Sequence, residues 1–172
     1  DFSNKKILVI GDLMLDKHIY GRVERISPEA PVPVLKAEKE TYNPGGAANL
    51  AANLAALGCK TFISGVLGND YAGGTLVQEM QKLNIDTSTI LITQKPTIQK
   101  IRGLSKQHLF RIDYEDCSLL TKDDELTLLQ MVKEILPEMD AIILSDYNKG
   151  TLTLGLVKAI INTMHPDFGF EL

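Results

Sequence analysis

YNPGGAANLAANLAALG, residues 42–58, sets two adjacent glycines against a run of Ala, Asn and Leu. The run predicts a helix over residues 46–57, because its Ala and Leu recur at the spacing of a buried helical face. Gly45 and Gly46 then stand where the helix begins. A glycine pair lets another group approach the backbone closely, and the free N–H groups of a helix start favour anions or hydroxyls. Asn49 falls in the first turn, able to donate and to accept. Tight packing of small residues explains the same pattern, so the pair alone does not decide between a ligand and a core. It is neither the dinucleotide G-x-G-x-x-G nor a phosphate loop ending in G-K-[ST].

Outward from this stretch, apolar strands alternate with helical segments. KILVIGD (6–12) and CKTFISGVLG (59–68) read as buried strands, and DAIILSDYNKG (140–150) as a third that ends in a polar loop. YAGGTLVQEMQKLNI (71–85) carries Leu76, Met80 and Leu83 on one helical stripe. TKDDELTLLQMVKEIL (121–136) opens with a Thr cap and an acidic first turn, and LTLGLVKAIINTM (152–164) is a further helix. This order predicts an α/β fold with a mostly parallel sheet flanked by helices. Two inserts break the pattern. Residues 17–42 hold three prolines and read as short, partly exposed strands. Residues 86–114 are rich in β-branched residues, with breaks at Lys95-Pro96 and near Ser105-Lys106. The two inserts predict a small extra sheet. The final helix runs into HPDFGFEL (165–172). A doubly wound sheet is expected to continue with another strand, so the chain reads as part of a larger domain.

The 172 residues suffice for one domain with its own core, and 44% hydrophobic with 23% charged residues is an ordinary globular balance. The net charge of −4 leaves no basic surplus for nucleic acid. No apolar run approaches the roughly 20 residues of a membrane span, and the first residues do not form a signal peptide. Cys59 and Cys117 lack metal-ligand spacing and read as reduced thiols of a cytoplasmic protein. His18, His108 and His165 lie far apart and read as no metal site.

In open α/β sheets, ligands bind beyond the C-terminal ends of the strands. Asp12 and Asp146 stand at two such ends. Asp16 follows Asp12 by four residues and shares its face if that turn is helical. Carboxylates there suit sugar hydroxyls; a turn cap and a solvated side chain remain the alternative. Lys100 and Arg102 in TIQKIR lie two apart, on one face of a strand, and Arg111 could join them from a neighbouring strand. Such a cluster suits a phosphate, although a solvated strand face explains it too. Asp146 and Lys149 flank the SDYNKG loop, placed to hold a substrate or simply to pair with each other.

Together, GDLMLD, PGGAANLAANLAALG, GVLGND and SDYNKG, in this order, resemble the ribokinase-like (PfkB-type) carbohydrate kinases. RISPEAPVPVLK and TIQKIRGLSKQHLFRIDYE resemble the heptose 7-phosphate kinase branch, found as one module of a bifunctional kinase/adenylyltransferase of lipopolysaccharide synthesis. The resemblance covers nearly the whole chain. It implies residues 1–172 as the N-terminal part of one ribokinase-like domain, with the C-terminal part of the fold lying beyond. It implies a small β lid from about residues 17–42 and 90–113. Asp12, Asp16, Gly45, Gly46 and Asn49 would contact sugar hydroxyls, Lys100 and Arg102 the substrate phosphate, and Asp146 and Lys149 the sugar and transferred phosphoryl. The reaction implied is transfer from ATP, with Mg2+, to the anomeric hydroxyl of D-glycero-β-D-manno-heptose 7-phosphate. The family's catalytic aspartate lies in a Gly-Ala-Gly-Asp motif that these residues do not contain. That aspartate is expected beyond residue 172, with most of the nucleotide site, and the chain alone is expected to be inactive. Exposed lid strands suggest a homodimer. A different sugar kinase of the same superfamily, and a non-catalytic sugar-binding or assembly module, are the other readings.

Overall fold

Alternation along Lys6–Gly11 (β1) sends Leu8 and Ile10 to one side of a sheet and Val9 to the other, all three fully buried. The computed structural model describes residues 2–164. HPDFGFEL, with His165, lies outside the described residues. β1 pairs in parallel with two strands: Lys60–Gly68, which we number β4, and Ala141–Ser145, which is β8. Asp86–Thr93 (β5) pairs in parallel outside β4, giving the order β5-β4-β1-β8. A parallel sheet needs crossovers, and helices supply them here. Ala47–Ala56 (α1) and Tyr71–Lys82 (α2) cover the face carrying Val9 and Ile63. Lys122–Ile135 (α3) and Leu154–Met164 (α4) cover the face carrying Leu8 and Ile10. The three-layer α/β arrangement agrees with the expected mostly parallel sheet flanked by helices.

The second sheet stands off the end of the first. Leu13–Ile26 (β2) and Pro33–Gly46 (β3) form a long antiparallel hairpin. Ile98–Leu104 (β6) lies parallel to β2, and His108–Tyr114 (β7) returns antiparallel beside β6. The order is β3-β2-β6-β7. Two expectations are corrected. The short strands anticipated over residues 17–42 are two strands of 14 residues each, beginning at Leu13 and ending at Gly46. Residues 90–93 belong to the main sheet, because Ile90 to Thr93 pair with Gly65 to Gly68 of β4. The predicted breaks near Lys95-Pro96 and Ser105-Lys106 fall between strands. Leu83 lies just past the end of α2 and is 43% exposed, while Leu76 and Met80 are fully buried.

Asp70 joins the two sheets. It caps α2 by accepting from Gly73 N–H at 2.8 Å, and its other oxygen accepts from Thr97 N–H at 2.8 Å, just before β6. Partial burial pushes its carboxyl up, but the N–H groups of Thr97 and Gly73 and the Thr97 hydroxyl outweigh it and hold it below the usual carboxylate range. Asp70→Ala is expected to cost about 2 kcal/mol at pH 7, for a lost cap and a second lost bond. A lowered folded pKa means this contribution is full above the ordinary carboxylate range and disappears as pH falls through the lowered value. Urea unfolding of parent and variant should therefore differ at pH 7 and draw together as pH falls through the lowered Asp70 value. A difference that persists undiminished in acid would contradict this.

Candidate functional site

The site begins where β1 ends. Gly11 pairs with Ser145, so the chain leaving β1 and the chain leaving β8 emerge side by side. Asp12 comes next and is fully buried. Its Oδ2 accepts from Tyr147 N–H at 2.8 Å and Lys149 N–H at 3.1 Å, and its Oδ1 from Thr151 N–H at 3.1 Å. Asn148, between the first two donors, has φ +57°, and its N–H donates to Asp146 Oδ1 at 2.7 Å. That turn aims successive N–H groups at one carboxylate, as in an anion-binding nest. Asp12 is thus an internal acceptor that fixes the loop after β8. The expectation that Asp12 contacts sugar hydroxyls is corrected: its oxygens are occupied by backbone donors and closed off from solvent.

The carbonyl of Asp12 accepts from Ala47 N–H at 2.9 Å, which docks the start of α1 against the same corner. The Gly45-Gly46 pair closes β3 and runs straight into α1, whose first turn has no side-chain cap. Gly46 has φ +57°, a conformation that favours glycine, and a Cβ there would lie 2.4 Å from the Asp12 carbonyl oxygen. Asn49 is exposed in the first turn of α1.

Asp16 does not share a helical turn with Asp12; it sits on β2. Registers in the second sheet place Asn43, Asp16, Lys100 and Asp113 opposite one another across the four strands. The next row on the same face holds Thr41, His18, Arg102 and Arg111. This face and the start of α1 bound an open groove. It is lined by Asp16, Gly45, Gly46, Asn49, Lys100 and Arg102, six of the residues expected from the sequence. Met14, His18, Asn43, Pro44 and Tyr147 line it as well. His18 was reachable by strand alternation from Asp16, and Asn43 by alternation from Gly45. Nothing in the sequence singled out Met14, Pro44 or Tyr147.

Arg102 Nη1 donates to Asp16 Oδ1 at 2.5 Å, and both side chains are about a fifth exposed. Arg111 is held by Asp113 through two bonds of 2.7 Å, and that pairing keeps the Asp113 carboxyl below the usual range. The Lys100 side chain makes no hydrogen bond or salt bridge among the described residues, feels the Asp113 carboxylate opposite, and lines the groove.

Two expected residues stand elsewhere. Asp146 is exposed, outside the groove, and closes its own turn with Asn148. Lys149 turns to Glu115 at 2.7 Å, just past β7, and that bond holds the ammonium above the usual lysine range. The pair ties the base of the second sheet to the loop after β8. Among the described residues, no three His, Cys, Asp or Glu side chains converge on a metal position, and no helix is long and apolar enough to cross a membrane.

The groove therefore offers a carboxylate and an amide for hydroxyls, and a lysine beside an arginine for an anion. Residues 4–154 match the family described as pfkB family carbohydrate kinase. Bifunctional protein HldE of Helicobacter pylori is 46% identical over 159 residues, which cover 91% of this chain and 34% of that protein. Bifunctional protein HldE of Vibrio vulnificus is 44% identical over 153 residues, covering 88% and 32%. The chain spans about a third of the length of these curated relatives. Among solved structures, phosphofructokinase-2 from Escherichia coli superposes with a TM-score of 0.69 at 19% identity, covering 95% of this chain and 52% of that one. Arabidopsis thaliana ribokinase, complexed with ribose and ATP, gives 0.55 at 17%, covering 82% and 45%. At such identities the likeness establishes a shared ribokinase-like fold.

Proposed function

We infer the function of this chain from one premise: it belongs to the pfkB family of carbohydrate kinases. It forms the sugar side of one ribokinase-like domain, of which residues 1–172 are the N-terminal part. The substrate is a sugar phosphate, and our reading is D-glycero-β-D-manno-heptose 7-phosphate, phosphorylated from ATP on the anomeric hydroxyl to the 1,7-bisphosphate. The observation that carries this is the shared face of Asp16, Lys100 and Arg102, set against the glycine-opened start of α1.

Each group has a role that its chemistry supports. The Asp16 carboxylate accepts from sugar hydroxyls, and Asn49 supplies an amide at the helix start. Lys100 and Arg102 hold the 7-phosphate. Anchoring a distant phosphate fixes the sugar and so presents its anomeric hydroxyl in one position, which is most of what phosphoryl transfer asks of a protein. Asp12 is not the base, because its oxygens already accept three N–H bonds. The base is the family aspartate of a segment after residue 172. ATP and Mg2+ serve the full-length kinase.

Assaying full-length protein on heptose 7-phosphate, fructose 6-phosphate and ribose tests the reading. The highest kcat/KM is expected with the heptose phosphate. A preference for ribose would remove the role given to Lys100 and Arg102. HldE relatives are named bifunctional, which supports an adenylyltransferase fused to the kinase. The opposite face of the lid supports pairing with a second copy. There the registers gather Ile19 of β2, Ile101 of β6, and Phe110 and Ile112 of the edge strand β7. Light scattering during gel filtration should give the mass of two copies; the mass of one would count against it.

A further inference from the structure

We propose that Asp16 and Arg102 form a charge latch that makes hydroxyl recognition depend on the substrate's phosphate. This rests on the sugar-phosphate reading above. Asp16 is the carboxylate of the groove, yet one of its two oxygens is already taken. Oδ1 accepts from Arg102 at 2.5 Å, which leaves Oδ2, beside Gly45, as the oxygen without a bonded partner. The arginine that would grip a phosphate is therefore occupied by the acceptor that would grip a hydroxyl.

The neighbouring charges determine what releases it. Lys100, opposite Asp16 across β2 and β6 and opposite Asp113 across β6 and β7, makes no salt bridge within 4 Å among the described residues and lines the groove. Arg111, opposite Arg102 across β6 and β7, is already held in a two-bond fork by Asp113. A phosphate seated on Lys100 thus gains a second cation most directly by drawing Arg102 away from Asp16. A guanidinium offers two parallel N–H bonds to a phosphate, as it does to a carboxylate, and a dianion competes well against a single-bonded carboxylate. The pair is partly shielded from water, so the exchange carries more weight than one on an open surface. Once released, the Asp16 carboxylate turns to the sugar hydroxyls. A sugar without phosphate meets a carboxylate still tied to Arg102 through Oδ1. Selection against neutral sugars then comes from the ion pair itself, in addition to the missing phosphate contacts.

Calorimetry on the full-length protein tests this, with heptose 7-phosphate, the unphosphorylated heptose and inorganic phosphate as probes. In the parent, inorganic phosphate should tighten binding of the unphosphorylated heptose, by about tenfold for a coupling of this kind. Arg102→Gln should bind the unphosphorylated heptose more tightly than the parent, bind heptose 7-phosphate at least about tenfold more weakly, and lose the response to phosphate. Asp16→Asn opens the latch from the other side and should bind inorganic phosphate more tightly than the parent. The latch is overturned if Arg102→Gln leaves neutral-sugar affinity unchanged or lowers it, or if Asp16→Asn leaves phosphate affinity unchanged. It is equally overturned if phosphate merely competes with the sugar. Binding of heptose 7-phosphate without this crossover leaves the substrate reading standing. No binding of heptose 7-phosphate to the parent overturns both.

Discussion

Asp12→Ala is expected to lower the stability of the domain by about 4 kcal/mol, the largest effect of any single polar change described here. The carboxylate is fully buried and accepts from three backbone N–H groups, of Tyr147, Lys149 and Thr151. Truncation leaves those donors facing a cavity. Each orphaned buried donor costs about 1–3 kcal/mol, and relaxation of the loop recovers part of that. Asp12→Asn separates charge from shape. An amide can turn its oxygen to Tyr147 and Lys149, but its NH2 then faces the Thr151 N–H, donor against donor. We expect about 2 kcal/mol for that variant. The loop should loosen before the domain unfolds, so amide exchange at Tyr147, Lys149 and Thr151 should quicken first. Stability within about 1 kcal/mol of the parent for Asp12→Ala would refute the anchoring role.

Asp12 also marks where sequence reading stops. Its position after ILVIG places it at the C-terminal end of a strand, and that much was legible. Its partners are N–H groups some 135 residues away, brought near because β1 and β8 pair. Nothing in GDLMLD says whether that carboxylate faces a ligand or the protein's own backbone. Local pattern reached the main strands and helices, because alternation and helical spacing are properties of single segments. It reached Lys100 and Arg102 as one face for the same reason. It could not give the Arg102–Asp16 pair, which depends on β2 lying parallel to β6 across 86 residues of sequence. The lid bounds failed similarly. Ile90 to Thr93 look like their β-branched successors, and only pairing with β4 assigns them to the main sheet. The Lys149 ion pair was out of reach as well, because its partner, Glu115, follows the last strand of the lid.

Gly45→Ala is expected to reduce kcat/KM of the full-length protein by about 100-fold while leaving it folded. Gly45 lies on β3 opposite Met14, and its backbone does not require a positive φ. The obstacle is space. An added Cβ would stand 2.6 Å from Asp16 Oδ2 and 2.8 Å from Met14 Cγ. Met14 is buried and flexible, so its adjustment should cost about 1–2 kcal/mol in stability. Asp16 has a freer exit toward the groove, and it is the group that must move. A carboxylate displaced by about 1 Å no longer meets the hydroxyls it is placed to accept, and misplacement on that scale is enough for the loss expected. The prediction is sharpened by combining changes. If Gly45→Ala acts through Asp16, its effect should nearly vanish in an Asp16→Asn background, because the group it displaces has already been altered. If the methyl instead blocks the sugar or distorts the start of α1, the two losses should add. Additivity within experimental error would remove Asp16 as the reason for the glycine, and the pair would return to its plain role of letting β3 run closely into α1.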